Sequence, residues 1–298
     1  MLLEGLHKMY PSGFDYLKPK TVQSLFEILS DNSDQHVEFI AGGHSLIPMM
    51  KTGLAAPDIL VDLSDISELY GIESDTNSTT IGAMETYANI SRNSAVIENC
   101  PVVAEAVSLI GDIQVRNRGT IGGNLSHADP ASDPPAAILA SHSTLHVQGP
   151  NGKRTINQDD FFTGLYETSL EDGELLTKIE INNIGTGVGA YLKKPSPSSG
   201  YAMIGTAAIL HSKNGIIDSA RVAITGAVDH ATRLHGVENA LIGAPATHES
   251  ANSASNHALD GIEDNMLMGD LQASSEYRAH LIGVYAKRAV ISCIDRLS

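Results

Sequence analysis

Ile40-Ala41-Gly42-Gly43-His44-Ser45-Leu46-Ile47-Pro48 is the stretch on which the reading of this chain turns. The run that leads into it, Val37-Glu38-Phe39-Ile40-Ala41, reads as a strand, and the glycine pair ends it. Without Cβ atoms, the backbone at Gly42 and Gly43 can enter left-handed geometry and turn successive N–H groups toward one point, which suits a phosphate. The Ser45 hydroxyl follows two residues on. The pattern is neither G-x-G-x-x-G nor G-x-x-x-x-G-K-S/T, so neither a Rossmann dinucleotide site nor a P-loop is supported. Taken alone, a tight strand-ending turn is the better reading of it.

Working outward, Thr21 can cap a helix whose Val22, Leu25, Phe26, Ile28 and Leu29 form an apolar stripe. A second strand over residues 59–63 follows the first after about 15 residues, a gap that suits a crossover unit and a small mixed or parallel sheet. Residues 1–60 are therefore expected to form an α/β lobe. Beyond it, residues 79–83 read as a strand, 86–92 as a short helix and 101–110 as a helix with Pro101 in its first turn. Residues 113–133 are rich in Gly, Asn, Asp and Pro, lack a helical period and are expected to be loop. Strand-like runs at 143–148 and 154–156 flank Pro150-Asn151-Gly152, and 175–181 adds another. The second lobe, 61–184, is expected to be strand-rich. Gly, Ser and Pro accumulate around 182–189 and 195–200 and suggest a boundary. Residues 185–298 then read as a small sheet, with a hairpin at Lys213-Asn214-Gly215, followed by helices near Val237, within 248–260 and from Ser275 onward.

The second decisive stretch, Arg118-Gly119-Thr120-Ile121-Gly122-Gly123-Asn124-Leu125-Ser126, repeats the glycine pair followed by a small polar side chain. Two such segments can hold a ligand with two linked phosphates from both sides. After them, Asp129-Pro130-Ala131-Ser132-Asp133-Pro134-Pro135 offers carboxylates able to accept from sugar or ribityl hydroxyls, with a solvated proline-rich turn as the substantial alternative. The bulk composition narrows the classes. With 35 acidic and 19 basic residues and a net charge of −16, nucleic acid is not an expected partner. The only cysteines, Cys100 and Cys293, cannot hold an iron–sulfur cluster, which takes about four thiolates. The start of the chain carries no signal-like segment, and no run approaches the roughly 18 apolar residues of a membrane span, so a cytoplasmic location is expected.

The strings AGGHSLIPMMK (41–51), QVRNRGTIGGN (114–124) and DPASDPP (129–135), in this order and spacing, closely resemble the FAD-binding medium subunit of molybdenum hydroxylases. Within that group the resemblance is to the aerobic carbon monoxide dehydrogenase type more than to the flavin domain of the xanthine dehydrogenase family. It implies an α+β fold: a two-lobed FAD-binding domain of the vanillyl-alcohol-oxidase (PCMH) kind, then a C-terminal domain of small antiparallel sheet and helices. It implies that Ala41, Gly42, Gly43, His44 and Ser45, with Thr120, Ile121, Gly122, Gly123 and Asn124, bind the FAD diphosphate and its surroundings. Ile40, Leu46 and Ile47 would line the cleft, Asp133 would bind FAD hydroxyls, and Leu176 and Lys193 match further family contacts. Tyr201 is the aromatic expected near the flavin ring. There the chain departs from the family pattern, with Pro195-Ser196-Pro197-Ser198-Ser199-Gly200 in place of the usual charged residues.

The resemblance also implies non-covalent FAD and no catalytic acid–base residue in this chain. Its partners would be a large molybdenum-cofactor subunit, a small 2Fe-2S subunit and a terminal acceptor, quinone or NAD, with attachment at the inner face of the membrane allowed through those partners. Two other classes compete: a stand-alone FAD oxidase and a non-catalytic flavin-binding protein. His44 has a rival role as a covalent flavin anchor. His142 and His146 lack a third ligand, so no metal is expected. Arg116 and Arg118 read equally as phosphate partners or as solvated loop residues.

Overall fold

The computed structural model describes residues 11–297; the amino-terminal start, read above only for a missing leader, lies outside them. The first lobe runs β1 (Asp15–Leu17), α1 (Val22–Asp31), β2 (Val37–Ile40), α2 (Leu46–Thr52) and β3 (Ile59–Asp62). Its sheet has the order β1-β3-β2, with both pairs parallel. Helix α1 begins at Thr21, whose side chain accepts from Ser24 N while the Ser24 hydroxyl accepts from Thr21 N, a reciprocal capping box. Its Val22 and Leu25 then bury against Ile59 and Val61 of β3. Strand β3 runs through residue 60, so the sheet of this lobe is completed at Asp62.

The second lobe is built on an antiparallel sheet of order β4-β5-β10-β6-β7, from β4 (Ile72–Ser74), β5 (Ser78–Gly82), β6 (Ser143–Gly149), β7 (Gly152–Asn157) and β10 (Leu175–Asn182). A small hairpin of β8 (Phe162–Gly164) and β9 (Glu167–Thr168) stands beside it. Between β5 and β6 lie α3 (Tyr87–Arg92), α4 (Ser94–Asn99), α5 (Pro101–Ser108), α6 (Ile113–Arg118), α7 (Ile121–His127) and α8 (Pro134–Ala140). The expected loop over 113–133 is therefore wrong for most of its length: it holds two short helices. Each is started by a cap rather than announced by a period, Asp112 accepting from Val115 N and Thr120 accepting from Gly123 N. At six and seven residues, both are too short to display an apolar stripe.

The third part is a sheet of order β11-β12-β13-β14, from β11 (Val188–Pro195), β12 (Ala202–Lys213), β13 (Ile216–Thr225) and β14 (Thr232–Arg233), followed by α9 (His235–Leu241), α10 (His248–Ala254) and α11 (Ser275–Leu297). Asn214 and Gly215, at φ 54° and 76°, make the tight two-residue turn between β12 and β13. Helix α11 buries Ile282, Ala286 and Cys293 in one core with Ile204, Ala208 and Val222 of the sheet. No described helix is long and apolar enough to cross a membrane.

Arg221 of β13 ties this sheet to the second lobe. Its buried guanidinium donates to the carbonyls of Leu139 and Ala140 at the end of α8, and pairs with Asp159 at 2.9 Å. Those carbonyls belong to the last turn of a helix and have no helical donor. Replacing Arg221 by Met should leave them unsatisfied and lower the unfolding free energy by about 3 kcal/mol in urea melts. A change within experimental error would show that the clamp contributes nothing.

Candidate functional site

The two glycine segments meet, and their glycines are required by contact more than by torsion. A Cβ on Gly42 would lie 2.5 Å from the Arg118 carbonyl oxygen and 2.8 Å from Gly119 Cα, and one on Gly123 would lie 3.2 Å from Ala41 Cβ. A Cβ on Gly122 would run into Ala83, 2.5 Å away. Of the four paired glycines only Gly43 has a left-handed backbone, at φ 75°, and there the side chains of Ile40 and Ile47 close around it. The packing of two backbones against each other is what glycine permits here.

The segments nevertheless differ in the donors they leave free. In the second, Ile121 N donates to Glu85 O, Gly122 N to Ala83 O, and Gly123 N to the Thr120 hydroxyl. The expected phosphate-directed N–H groups at 121–123 are thus already used inside the fold, and the Ile121 side chain is fully buried. In the first, the backbone N–H groups of Gly42, Gly43, His44, Ser45 and Leu46 make no hydrogen bond among the described residues, and the Ser45 side chain does not cap α2. Five consecutive partly exposed donors without a partner among the described residues are open to water or a ligand. An extended anion spanning two phosphates suits such a row.

Asp133 stands at the start of α8 but does not cap it: its own backbone is helical (φ −78°, ψ −42°) rather than extended, and its side chain makes no bond to the first turn. Its carboxylate is buried and turns instead to β11: Tyr191 Oη donates to Oδ1 at 2.6 Å and Lys193 Nζ to Oδ2 at 2.7 Å. Lys193 Nζ also donates to the Leu109 carbonyl at 3.1 Å. Burial pushes the Asp133 carboxyl up from its ordinary range, against the opposing charge of Lys193 and the hydrogen bonds from Lys193 and Tyr191. One residue before Asp133, the Ser132 hydroxyl donates to Asn124 Oδ1 at 3.0 Å, which fastens this segment to the second glycine pair.

Tyr201 is 45% exposed and lies within electrostatic reach of Tyr166, Asp129 and Asp133, so the structure does bring an aromatic side chain to the rim of the same region. Sequence reasoning overlooked Tyr166, which holds a left-handed backbone at φ 56° and sets its ring 5.3 Å from that of His127. Leu176 is not brought to the rim: its side chain is 2% exposed, in the core with Val147 and Ile179, leaving only its backbone for any ligand. Arg116 resolves into a structural role, donating to the carbonyls of Ile110 and Gly111, whereas the Arg118 side chain is exposed with no hydrogen-bond partner among the described residues. Tyr191 was also overlooked. Its signal was present, since residues two apart on a strand share a face and Lys193 was already a candidate.

Neither thiol suits nucleophilic chemistry, as burial pushes Cys100 up to about 11 and Cys293 up to about 12. Among the described residues, no group of three or more His, Cys, Asp or Glu side chains is placed to hold a metal ion.

Comparison with known proteins agrees with the geometry. The family described as FAD binding domain in molybdopterin dehydrogenase matches residues 12–183, and the family described as CO dehydrogenase flavoprotein C-terminal domain matches 190–293. The chain is 35% identical over 283 residues to the carbon monoxide dehydrogenase medium chain of Hydrogenophaga pseudoflava, covering 95% of this chain and 97% of that one. It is 33% identical over 278 residues to the nicotine 6-hydroxylase medium subunit of Paenarthrobacter nicotinovorans, covering 93% and 95%. Among solved structures, a carbon monoxide dehydrogenase from Hydrogenophaga pseudoflava superposes with a TM-score of 0.91, at 35% identity over 97% of this chain and 99% of that one.

Proposed function

The chain belongs to the molybdenum-hydroxylase family of FAD-binding medium subunits, and from that premise we propose how its FAD is held and where its electrons come from and go. The cofactor FAD and the role of flavoprotein subunit of an oxidoreductase follow from the family itself. The residues present fit that cofactor, and the observation that carries the fit is the row of unpaired N–H groups from Gly42 to Leu46. These donors take the FAD diphosphate. The helix-bound segment 120–124 supplies the surface against which they are set, with Gly123 and Asn124 as its outward members. Asp133 accepts from FAD hydroxyls, and Tyr201 flanks the ring. When bound, FAD supplies the exchange of single electrons and electron pairs, and the protein orients it and controls access to it.

Electrons reach this chain from a small 2Fe-2S subunit, which is fed by a large molybdenum-cofactor subunit, and leave it to a terminal acceptor, quinone or NAD. Two medium chains named for different substrates, carbon monoxide and nicotine, each match this chain over more than nine-tenths of its length. Such likeness supports a substrate chosen in another subunit. Purification from the native host should yield a complex containing molybdenum and iron whose flavin absorbance bleaches on adding its substrate. Turnover by the isolated chain would favour a stand-alone oxidase instead, and a flavin that never bleaches would favour a non-catalytic binder. The flavin is held without a bond to His44: after acid precipitation, the yellow colour should remain in the supernatant, and colour in the pellet would overturn this.

A further inference from the structure

The Asp133 carboxylate is aimed by groups that lie far from it in sequence. The 129–135 segment is pinned from the C-terminal sheet along its length: Ala202 N donates to Ala131 O, Gly226 N to Pro130 O, and the Thr225 hydroxyl to the carbonyls of Pro130 and Ser132. From the same sheet, Tyr191 reaches Asp133 Oδ1. The tyrosine itself has no freedom. It is 3% exposed, its backbone N–H donates to Glu105 Oε2 at 2.7 Å, and its hydroxyl occupies the space that a side chain at position 205 would need. A Cβ on Gly205 would lie 2.0 Å from Tyr191 Oη, so glycine at 205 is the condition for this hydrogen bond.

We propose that Tyr191 is a positioning residue for the cofactor: its hydroxyl, seated over Gly205, fixes the Asp133 carboxylate in the orientation from which it accepts FAD hydroxyls. The inference rests on the reading of Asp133 as an FAD contact. Lys193 supplies charge but is anchored also to Leu109 O, and an ammonium accepts any approach direction; the phenol offers one donor along one line. With Oδ1 held by Tyr191 and Oδ2 by Lys193, each oxygen keeps a further acceptor site for a ligand hydroxyl.

The test is FAD titration of the full chain, followed by flavin fluorescence from pH 4 to pH 8. The groups facing Asp133 are Lys193 and Tyr191 on β11, Tyr87 on α3, and Tyr201 beside β12. Ionised Asp133 is the accepting form, so affinity should fall as pH drops through its titration. Tyr191→Phe removes one donor to the ionised form; its affinity at neutral pH should fall about tenfold, and its midpoint should move to higher pH. Placing 3-fluorotyrosine at 191, a stronger donor of nearly the same shape, should move the midpoint down, which keeps the test open should Tyr191→Phe fold poorly. In an Asp133→Asn background, Tyr191→Phe should have no further effect on affinity or on any midpoint that remains. A wild-type chain that binds no FAD overturns the flavin reading and this inference with it. Wild-type binding with a midpoint unmoved by either change at 191 overturns the inference alone.

Discussion

Gly42→Ala is expected to weaken FAD binding by at least ~100-fold, or about 2.7 kcal/mol, while leaving the chain folded. The added Cβ would meet backbone, 2.5 Å from Arg118 O and 2.8 Å from Gly119 Cα, and that backbone has nowhere to retreat. Gly119 N is bonded to Val115 O at 2.8 Å, and Tyr87 N is bonded to Gly119 O at 3.1 Å. On its other side Gly119 is pressed on the Tyr87 ring, where even a methyl would stand 2.4 Å from Cε2. The strain must therefore be relieved by moving the 42–46 segment, which carries every unpaired donor of the proposed diphosphate site. Overpacking of this kind amounts to about 1–3 kcal/mol, and the loss of aligned donors adds to it in binding rather than in folding. Gly53→Ala is the control. Gly53 has φ 75° with nothing within 4 Å of a Cβ, so it should lose about 1 kcal/mol of stability through torsional strain and keep its FAD affinity. Calorimetric titration with FAD, alongside urea melts, separates the two; unchanged affinity in Gly42→Ala would remove the 42–46 segment from the site.

The contrast between the two glycine pairs also shows what a sequence can and cannot reveal. Thr21, with its apolar stripe, announces α1 because a cap and a period are local signals, and the hairpin announces itself by its Asn214-Gly215 pair, the residues that most readily take the left-handed torsions found there. Residues 120–124 look like a second phosphate loop because the string repeats the first. Thr120, which takes the Gly123 N–H, is in the string, but the acceptors of the Ile121 and Gly122 N–H groups, Glu85 O and Ala83 O, lie some forty residues earlier and leave no mark on it. Leu176 was named as a contact through family likeness, yet an apolar residue on a central strand is by pattern a core residue, and the fold buries it. Arg116 and Arg118 are alike in sequence and two residues apart; only the carbonyls of Ile110 and Gly111 distinguish them. Local chemistry was legible, and partners that arrive from distant strands were not. Asp133 is the extreme instance, since it stands where a helix cap is expected while the residues that receive its carboxylate lie on β11.

That pair leads to the second large effect. Lys193→Met should lower the unfolding free energy by about 3–5 kcal/mol, because it leaves a carboxylate buried with its counter-charge removed. The side chains of Lys193 and Asp133 are both 4% exposed, so solvent cannot replace what is lost. Without Lys193, burial acts on Asp133 with only the Tyr191 hydroxyl opposing it, and its carboxyl rises further above the ordinary value of 3.8. The folded state then holds a proton that the unfolded state releases. Between 3.8 and the raised folded value, stability falls as pH rises, so the deficit relative to the wild type should be largest at neutral pH and shrink toward pH 4. Asp133→Asn added to Lys193→Met removes the stranded charge and should recover a large part of the loss. Urea melts at several pH values decide the matter. A single variant within about 1 kcal/mol of the wild type, or a double variant as unstable as the single, would mean that the pair is solvated in practice. The outcome bears on function as well as stability. Lys193 lies in the part of the chain matched as a C-terminal flavoprotein domain, while Asp133 lies in the part matched as FAD-binding. A strong, pH-dependent coupling between them would mean that the C-terminal sheet sets the cofactor site directly, and that loss of flavin and loosening of that sheet occur as one event.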